Sequence, residues 1–147
     1  MEQTLVQQNM QWQGRPFKGL IGRKIMRNLL KKQSLPHVQI ITGVRRCGKS
    51  TVFKLLINEL MASGVAPKSI LTINMDAPVF IQYWDNAEQI RQIIETAERL
   101  TGVKVRYLFL DEIQQVKDWE VFVKAAYDAQ IFDKIYVTGS NSNLLQN

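Results

Sequence analysis

The feature that most constrains the fold is a regular alternation of short apolar runs with longer segments whose apolar residues recur at helical spacing. The apolar runs predict strands over residues 38–42, 70–75, 105–110 and 134–138. The intervening segments predict helices over residues 49–63, 85–101 and from Asp118 onward. Apolar strands separated by helices are typical of a parallel sheet covered on both faces. We therefore expect an α/β fold of three layers, with helices on both sides of a mainly parallel sheet.

Length and composition are those of one globular domain. The chain has 147 residues, of which 46% are hydrophobic and 22% charged. A chain of this size buries roughly 70% of its extended surface on folding. Cys47 is the single cysteine, no leader-like apolar segment opens the chain, and no apolar run approaches the roughly 18 residues of a membrane span. We expect a cytoplasmic protein that does not cross a membrane.

The first third of the chain is strongly basic. Residues 1–50 carry ten Lys or Arg against Glu2 alone, a charge of +9, whereas residues 51–147 carry −3. Residues 1–19 are polar and predict an extended or flexible arm, and residues 21–32 predict a basic amphipathic helix. This excess of charge suits an anionic partner such as nucleic acid, a lipid surface or a phosphorylated ligand. The remaining residues, 20–147, are expected to form the domain itself.

The segment between the first strand and the next helix reads G-V-R-R-C-G-K-S, which fits the pattern G-x-x-x-x-G-K-[ST]. Glycines let backbone N–H groups turn inward around phosphate oxygens, and the following helix adds its positive end. Lys49 contributes a mobile positive charge, and the hydroxyl of Ser50 suits Mg²⁺. The predicted phosphate-binding residues are Gly43, Val44, Arg45, Arg46, Cys47, Gly48, Lys49, Ser50 and Thr51.

Two acidic residues follow the apolar strand at 105–110. A carboxylate at the C-terminal end of such a strand is expected beside the phosphate-binding loop, so Asp111 is predicted to hold the metal together with Ser50. Glu112 is predicted to orient and polarise an attacking water. Acidic pairs also occur in solvated turns, so this interpretation depends on the loop being present.

Taken together, these motifs resemble the AAA-type branch of the P-loop ATPases. The matching runs are the loop at residues 43–50, L-F-L-D-E-I-Q-Q-V-K-D-W-E around Asp111 and Y-V-T-G-S-N-S-N-L-L near the C-terminus. The resemblance implies ATP and Mg²⁺ as ligands, with Lys49 and Glu112 catalytic. It also implies that the strand before the loop lies next to the strand at 134–138, with the Asp111 strand beyond. Thr138, Ser140 or Asn141 would sense the terminal phosphate, Asn141 being our choice, unless these are merely turn residues.

The chain departs from that family pattern at its C-terminal end. AAA-type ATPases continue with another strand, an arginine finger and a helical lid, whereas this sequence stops at Asn147. We expect the sheet to be incomplete there, with an unpaired edge on the strand before the loop. A homo-oligomer or a missing C-terminal region would supply the absent parts, and hydrolysis by this chain alone would be slow.

Two functions remain open at this level. The first is a Mg²⁺-dependent domain that binds and hydrolyses ATP. The second is a basic module that binds nucleic acid or another partner, in which the nucleotide site is a switch or a vestige. Phosphate-backbone binding would weaken steeply with added salt, which separates the two hypotheses.

Overall fold

The computed structural model describes residues 1–20, 30–31, 38–41 and 49–139. Within these ranges one sheet contains the strands β1 (Leu30–Lys31), β2 (Val38–Ile41), β3 (Ile70–Asn74), β4 (Tyr107–Asp111) and β5 (Lys134–Thr138). Their order across the sheet is β1-β2-β5-β4-β3. Strands β2 to β5 are parallel, and β1 is antiparallel to β2. The placement of β2 beside β5, with β4 beyond, confirms the order that the family resemblance implies.

Helices cover both faces of this sheet. The described helices are α1 (Glu2–Gln8), α2 (Lys49–Ala62), α3 (Ile90–Thr101) and α4 (Trp119–Asp128). Successive residues of a strand point to opposite faces, and β4 shows the consequence clearly. Leu108 and Leu110 belong to the core shared with α3 and α4, whereas Phe109 belongs to the core under α2. The predicted three-layer α/β architecture is therefore confirmed.

The core under α2 is built around aromatic rings. Phe109 stacks on Tyr136 with ring centroids 4.2 Å apart and meets Phe53 of α2 edge-on at 4.9 Å. All three side chains are buried. Offset-stacked and edge-to-face pairs are the favoured aromatic geometries, and large rings bury much apolar surface. This group fixes α2 over the centre of the sheet, so it positions the helix whose first two residues, Lys49 and Ser50, are the last two of the phosphate-loop motif.

One sheet edge differs from the sequence prediction. Leu30 and Lys31, expected in a helix over residues 21–32, form β1 and pair with Ile41 and Ile40 of β2. The predicted unpaired edge on β2 is therefore wrong as well. Strand pairing satisfies backbone groups that an open edge would leave exposed, and this tertiary gain overrides local helical spacing. Residues 21–29 and 32 lie outside the described residues.

The N-terminal segment also differs from its prediction, because residues 2–8 form α1 and Met10–Gln13 form a 3₁₀ turn. Leu5, Asn9 and Gln11 are all 1% exposed or less. The expectation of an extended arm is thus wrong here. Apolar periodicity missed the segment because Leu5 is its one fully buried apolar residue, and most of its hydrogen bonds to the sheet come from amide side chains.

Those amides bind the outer edge of β3 in the manner of a neighbouring strand. The side chain of Asn9 accepts a hydrogen bond from the N–H of Thr72 (2.7 Å) and donates one to its carbonyl (2.9 Å). Gln8 forms the same pair of bonds with Asn74 (3.0 and 3.4 Å). The side chains of Gln11 and Trp12 both donate to the carbonyl of Ile70. Alternate edge residues of β3 are therefore satisfied by side chains instead of a strand.

Glycines in the left-handed conformation follow two of the helices, and the acidic residues at which two helices were predicted to start do not cap them. Gly64 and Gly102 follow α2 and α3 with φ of +101° and +71°, which glycine adopts without strain. The segment before α3 is capped by Asn86, whose side chain accepts from the N–H of Glu88, and not by Asp85. Asp118 precedes α4 as predicted, but its side chain forms no cap hydrogen bond.

No helix in the described ranges combines the length and the apolar character that a membrane crossing requires.

Candidate functional site

The C-terminal ends of the parallel strands meet at one edge of the sheet. Asn74 pairs with Asp111 across β3 and β4, while Thr138 is the last residue of β5. Ile41, the last residue of β2, pairs with Thr138. The chain therefore enters residues 42–48 at the sheet edge that also carries Asp111. In open α/β sheets, ligands bind in the crevice outside this edge.

Asp111 and Glu112 are connected through Thr138. The Thr138 hydroxyl donates a hydrogen bond to Oδ1 of Asp111 and accepts one from the backbone N–H of Glu112 at 3.3 Å. Thr138 is 0% and Asp111 9% exposed. The backbone of Asp111 is held on its other side, because its carbonyl accepts from the N–H of Met75 at 2.9 Å. Thr138 thus holds the carboxylate of Asp111, while Met75, the residue after β3, holds its backbone.

Glu112 turns the chain sharply out of β4. Its φ and ψ of 56° and 45° lie in the left-handed region, which costs a non-glycine residue roughly 1–2 kcal/mol. Its side chain is partly exposed, and Oε2 accepts a hydrogen bond from Nε2 of Gln114 at 2.6 Å. The left-handed backbone at Glu112 ends β4 and redirects the chain. Such backbone strain concentrates at functional sites.

Asp111 also lines a cleft of about 260 Å³ at this edge of the sheet. Its other walls include Asn74, Phe53 and Lys54 of α2, and Met10 of the N-terminal segment. Lys54 is exposed, whereas Phe53 is buried. Polar and apolar side chains therefore share the lining of this cleft.

Most of the predicted phosphate-binding residues lie outside the described part of the chain: Gly43, Val44, Arg45, Arg46, Cys47 and Gly48. Lys49 and Ser50 begin α2, but their side chains also lie outside it. Thr51 is partly buried in the first turn of α2. Ser140 and Asn141, two of the proposed sensors, and most of the basic segment at residues 21–32 are likewise outside the described residues.

The chemistry of Asp111 fits a magnesium ion. Mg²⁺ prefers oxygen ligands and is commonly held by one or two carboxylates together with waters and substrate phosphates. Asp111 offers a largely buried carboxylate that lines the cleft. Among the described residues, no three Asp, Glu, His or Cys side chains come together as a metal cage. Asp111 is therefore of the chemical type that could provide one oxygen ligand to such an ion.

The fold and this edge of the sheet define a nucleotide-binding domain of the ATPase type. Strand β2 leads into G-x-x-x-x-G-K-S, and strand β4 ends in Asp111. The two strands run parallel, with β5 between them. The chain matches the AAA_14 family model, described as an AAA domain, over residues 36–147. It belongs to that family.

Two relatives with similar sequences are described as uncharacterized proteins. A protein of Haemophilus influenzae is 32% identical over 129 residues, which cover 87% of this chain and 32% of that protein. A protein of Methanocaldococcus jannaschii is 28% identical over 123 residues, covering 83% of this chain and 25% of the relative. This chain thus spans a third or less of the length of these relatives.

Among solved structures, the chain is similar to Caenorhabditis elegans PCH-2, with a TM-score of 0.44 and 14% identity. The match covers 99% of this chain and 38% of that protein.

Sequence reasoning missed two contacts at the site. Thr138 was one of three candidates for the phosphate sensor, but its contact with Asp111 joins residues 27 positions apart and has no local signal. The hydrogen bond from Gln114 to Glu112 was also missed. Spacing alone could have suggested this second contact, because the two residues lie two positions apart in a tight turn.

Proposed function

We propose that this domain binds ATP together with Mg²⁺ and hydrolyses it. The observation that carries the proposal is the buried carboxylate of Asp111, fixed at the sheet edge where β2 leads into the phosphate-loop motif. Binding of a nucleoside triphosphate needs both the loop and the carboxylate, because the loop binds the phosphates and the carboxylate holds the accompanying metal ion.

Each residue has a distinct task in this proposal. The backbone N–H groups of residues 43–48 and the ammonium group of Lys49 hold the phosphates, with Thr51 nearby in α2. Ser50 and Asp111 hold Mg²⁺, which when bound neutralises developing charge on the terminal phosphates. Glu112 accepts a proton from the attacking water, a task that requires a carboxylate. Asn141 contacts the terminal phosphate or that water.

The geometry at Glu112 agrees with this task. The left-handed turn places its side chain beyond the end of β4, where it is partly exposed and can reach a water molecule. The amide of Gln114 restrains one carboxylate oxygen. A proton acceptor held in one orientation reacts more effectively than one that must first be ordered.

The test combines nucleotide binding with turnover. Lys49→Ala should abolish binding of a fluorescent ATP analogue, and Glu112→Gln should preserve binding while lowering phosphate release by about 10²-fold or more. Lys104→Ala and Glu95→Gln make the same changes at exposed positions and should leave both readouts unchanged. Wild-type turnover in Glu112→Gln would refute the assignment of the base. Absence of nucleotide binding by the wild-type protein, with and without Mg²⁺, would refute the proposed function.

A further inference from the structure

The hydroxyl of Thr138 has its hydrogen-bonding capacity directed at the two acidic residues. A threonine hydroxyl carries one proton and two lone pairs. The proton is donated to Oδ1 of Asp111, and one lone pair accepts the backbone N–H of Glu112. One side chain therefore restrains the carboxylate of Asp111 and the turn that directs Glu112.

The surroundings make this contact strong and rigid. Thr138 is completely buried and Asp111 nearly so, which keeps water from competing for either group. A hydrogen bond to an ionised carboxylate is roughly twice as strong as one between neutral groups. The threonine side chain is also stiff because it is branched at Cβ. Its anchor is the central strand β5, which pairs with both β2 and β4.

We propose that Thr138 is a positioning residue that orients Asp111 for the metal ion and stabilises the turn at Glu112. This inference rests on the proposed function. It differs from a sensor role, because a single hydroxyl proton already donated to Asp111 is not available for a phosphate oxygen. Thr138 thus acts through the carboxylate, without touching the nucleotide.

Metal-dependent binding of nucleotide tests this role without relying on turnover. A fluorescent ATP analogue is titrated with Mg²⁺, and its affinity is also measured in EDTA. The Mg²⁺ midpoint is the Mg²⁺ concentration at which binding of the analogue is half-maximal. Thr138→Val removes the hydroxyl and keeps the shape of the side chain, so it should raise this midpoint by about 10- to 100-fold, because loss of a contact to a metal ligand typically has an effect of this size. The affinity in EDTA should stay unchanged, and Thr138→Ser should restore the wild-type midpoint.

Two further variants guard against a general loss of structure. Thr96→Val makes the same change at another buried threonine, whose hydroxyl bonds within α3, and should not move the midpoint. If Thr138→Val fails to fold by circular dichroism, Thr138→Ala and Thr138→Ser form a second pair that differs only in the hydroxyl. The Ala variant should then show the raised midpoint.

The outcomes separate this inference from the proposed function. A wild-type protein that binds no nucleotide refutes the proposed function. If the wild type shows Mg²⁺-dependent binding and the variants lacking the hydroxyl have the same midpoint, the role of Thr138 is wrong and the proposed function stands. An equal loss of affinity in EDTA and in Mg²⁺ would indicate direct contact with the nucleotide and would also overturn the inference.

Discussion

Asn9 ties the N-terminal segment to the sheet through both ends of its amide, so its replacement by alanine should release this edge of β3. The oxygen accepts from the N–H of Thr72 and from Nε2 of Gln11, at 2.7 and 2.9 Å. The nitrogen donates to the carbonyls of Leu5 and Thr72, at 2.8 and 2.9 Å. Asn9 is 1% exposed, so water does not share these partners.

The expected loss of stability follows from those four hydrogen bonds. A hydrogen bond contributes on the order of 1 kcal/mol net, and a buried group left without a partner costs about 1–3 kcal/mol. Asn9→Ala should therefore lower the free energy of unfolding by about 3–5 kcal/mol, a large share of the ~5–15 kcal/mol typical of a domain. If the segment detaches locally instead, the loss is limited to the free energy of its docking.

Urea unfolding and amide hydrogen exchange measure the two parts of this prediction. Urea unfolding reports the change in stability, with Gln3→Ala on the exposed side of α1 as a control expected within about 0.5 kcal/mol. In Asn9→Ala the backbone N–H of Thr72 loses its hydrogen-bond acceptor, so its hydrogen exchange should accelerate. The acceleration should be smaller at the N–H of Ile73, whose side chain is fully buried in the core. An unchanged exchange rate at Thr72 together with a loss below about 0.5 kcal/mol would refute the role of Asn9.

Two further predictions concern the aromatic core under α2. Phe109→Ala should lower the free energy of unfolding, measured in urea, by about 3–5 kcal/mol, because the ring packs on Phe53 and Tyr136. If Phe109→Leu lowers the free energy of unfolding by as much as Phe109→Ala does, this account is contradicted. Burial, followed by the charges of Tyr107 and Glu59, raises the pKa of Tyr136 above its ordinary value of 10.0. The folded state then holds this proton more tightly than the unfolded state, so stability should fall as pH rises above about 10. Tyr136→Phe should reduce that slope, and an identical slope in the variant would show that Tyr136 does not cause it.

Elements with a strong apolar pattern could be predicted from the sequence. The strand Lys134–Thr138 has the predicted bounds. Helix α3 buries most of the apolar stripe expected from helical spacing, namely Ile90, Ile93, Ile94 and Ala97, whereas Leu100, expected in the same stripe, is 40% exposed. The order of β2, β5 and β4 followed from family resemblance, since periodicity carries no information about which strands are neighbours. The position of Asp111 at the end of β4 could be anticipated because the apolar run stops there.

Contacts between distant polar groups could not be predicted in this way. Asn9 and Thr72 are 63 positions apart, and Thr138 lies 27 positions from Asp111. Neither pair leaves a periodic signal, because one hydrogen bond at a sheet edge needs only one suitably placed side chain. The strand at Leu30–Lys31 was missed for a related reason: its pairing with β2 depends on the partner strand, while its own spacing favours a helix.

Asp111 is held by both neighbouring strands, and the two restraints have separable effects. On one side Thr138 contacts the carboxylate itself, whereas on the other side Met75, the residue after β3, donates its N–H to the backbone carbonyl of Asp111. Asn9 acts one strand further out, on the opposite edge of β3. Loosening that edge should therefore lower stability without shifting the Mg²⁺ midpoint of nucleotide binding, whereas loss of the Thr138 hydroxyl should shift it. A shift of similar size in Asn9→Ala would mean that Asp111 is oriented by the sheet as a whole and not by Thr138.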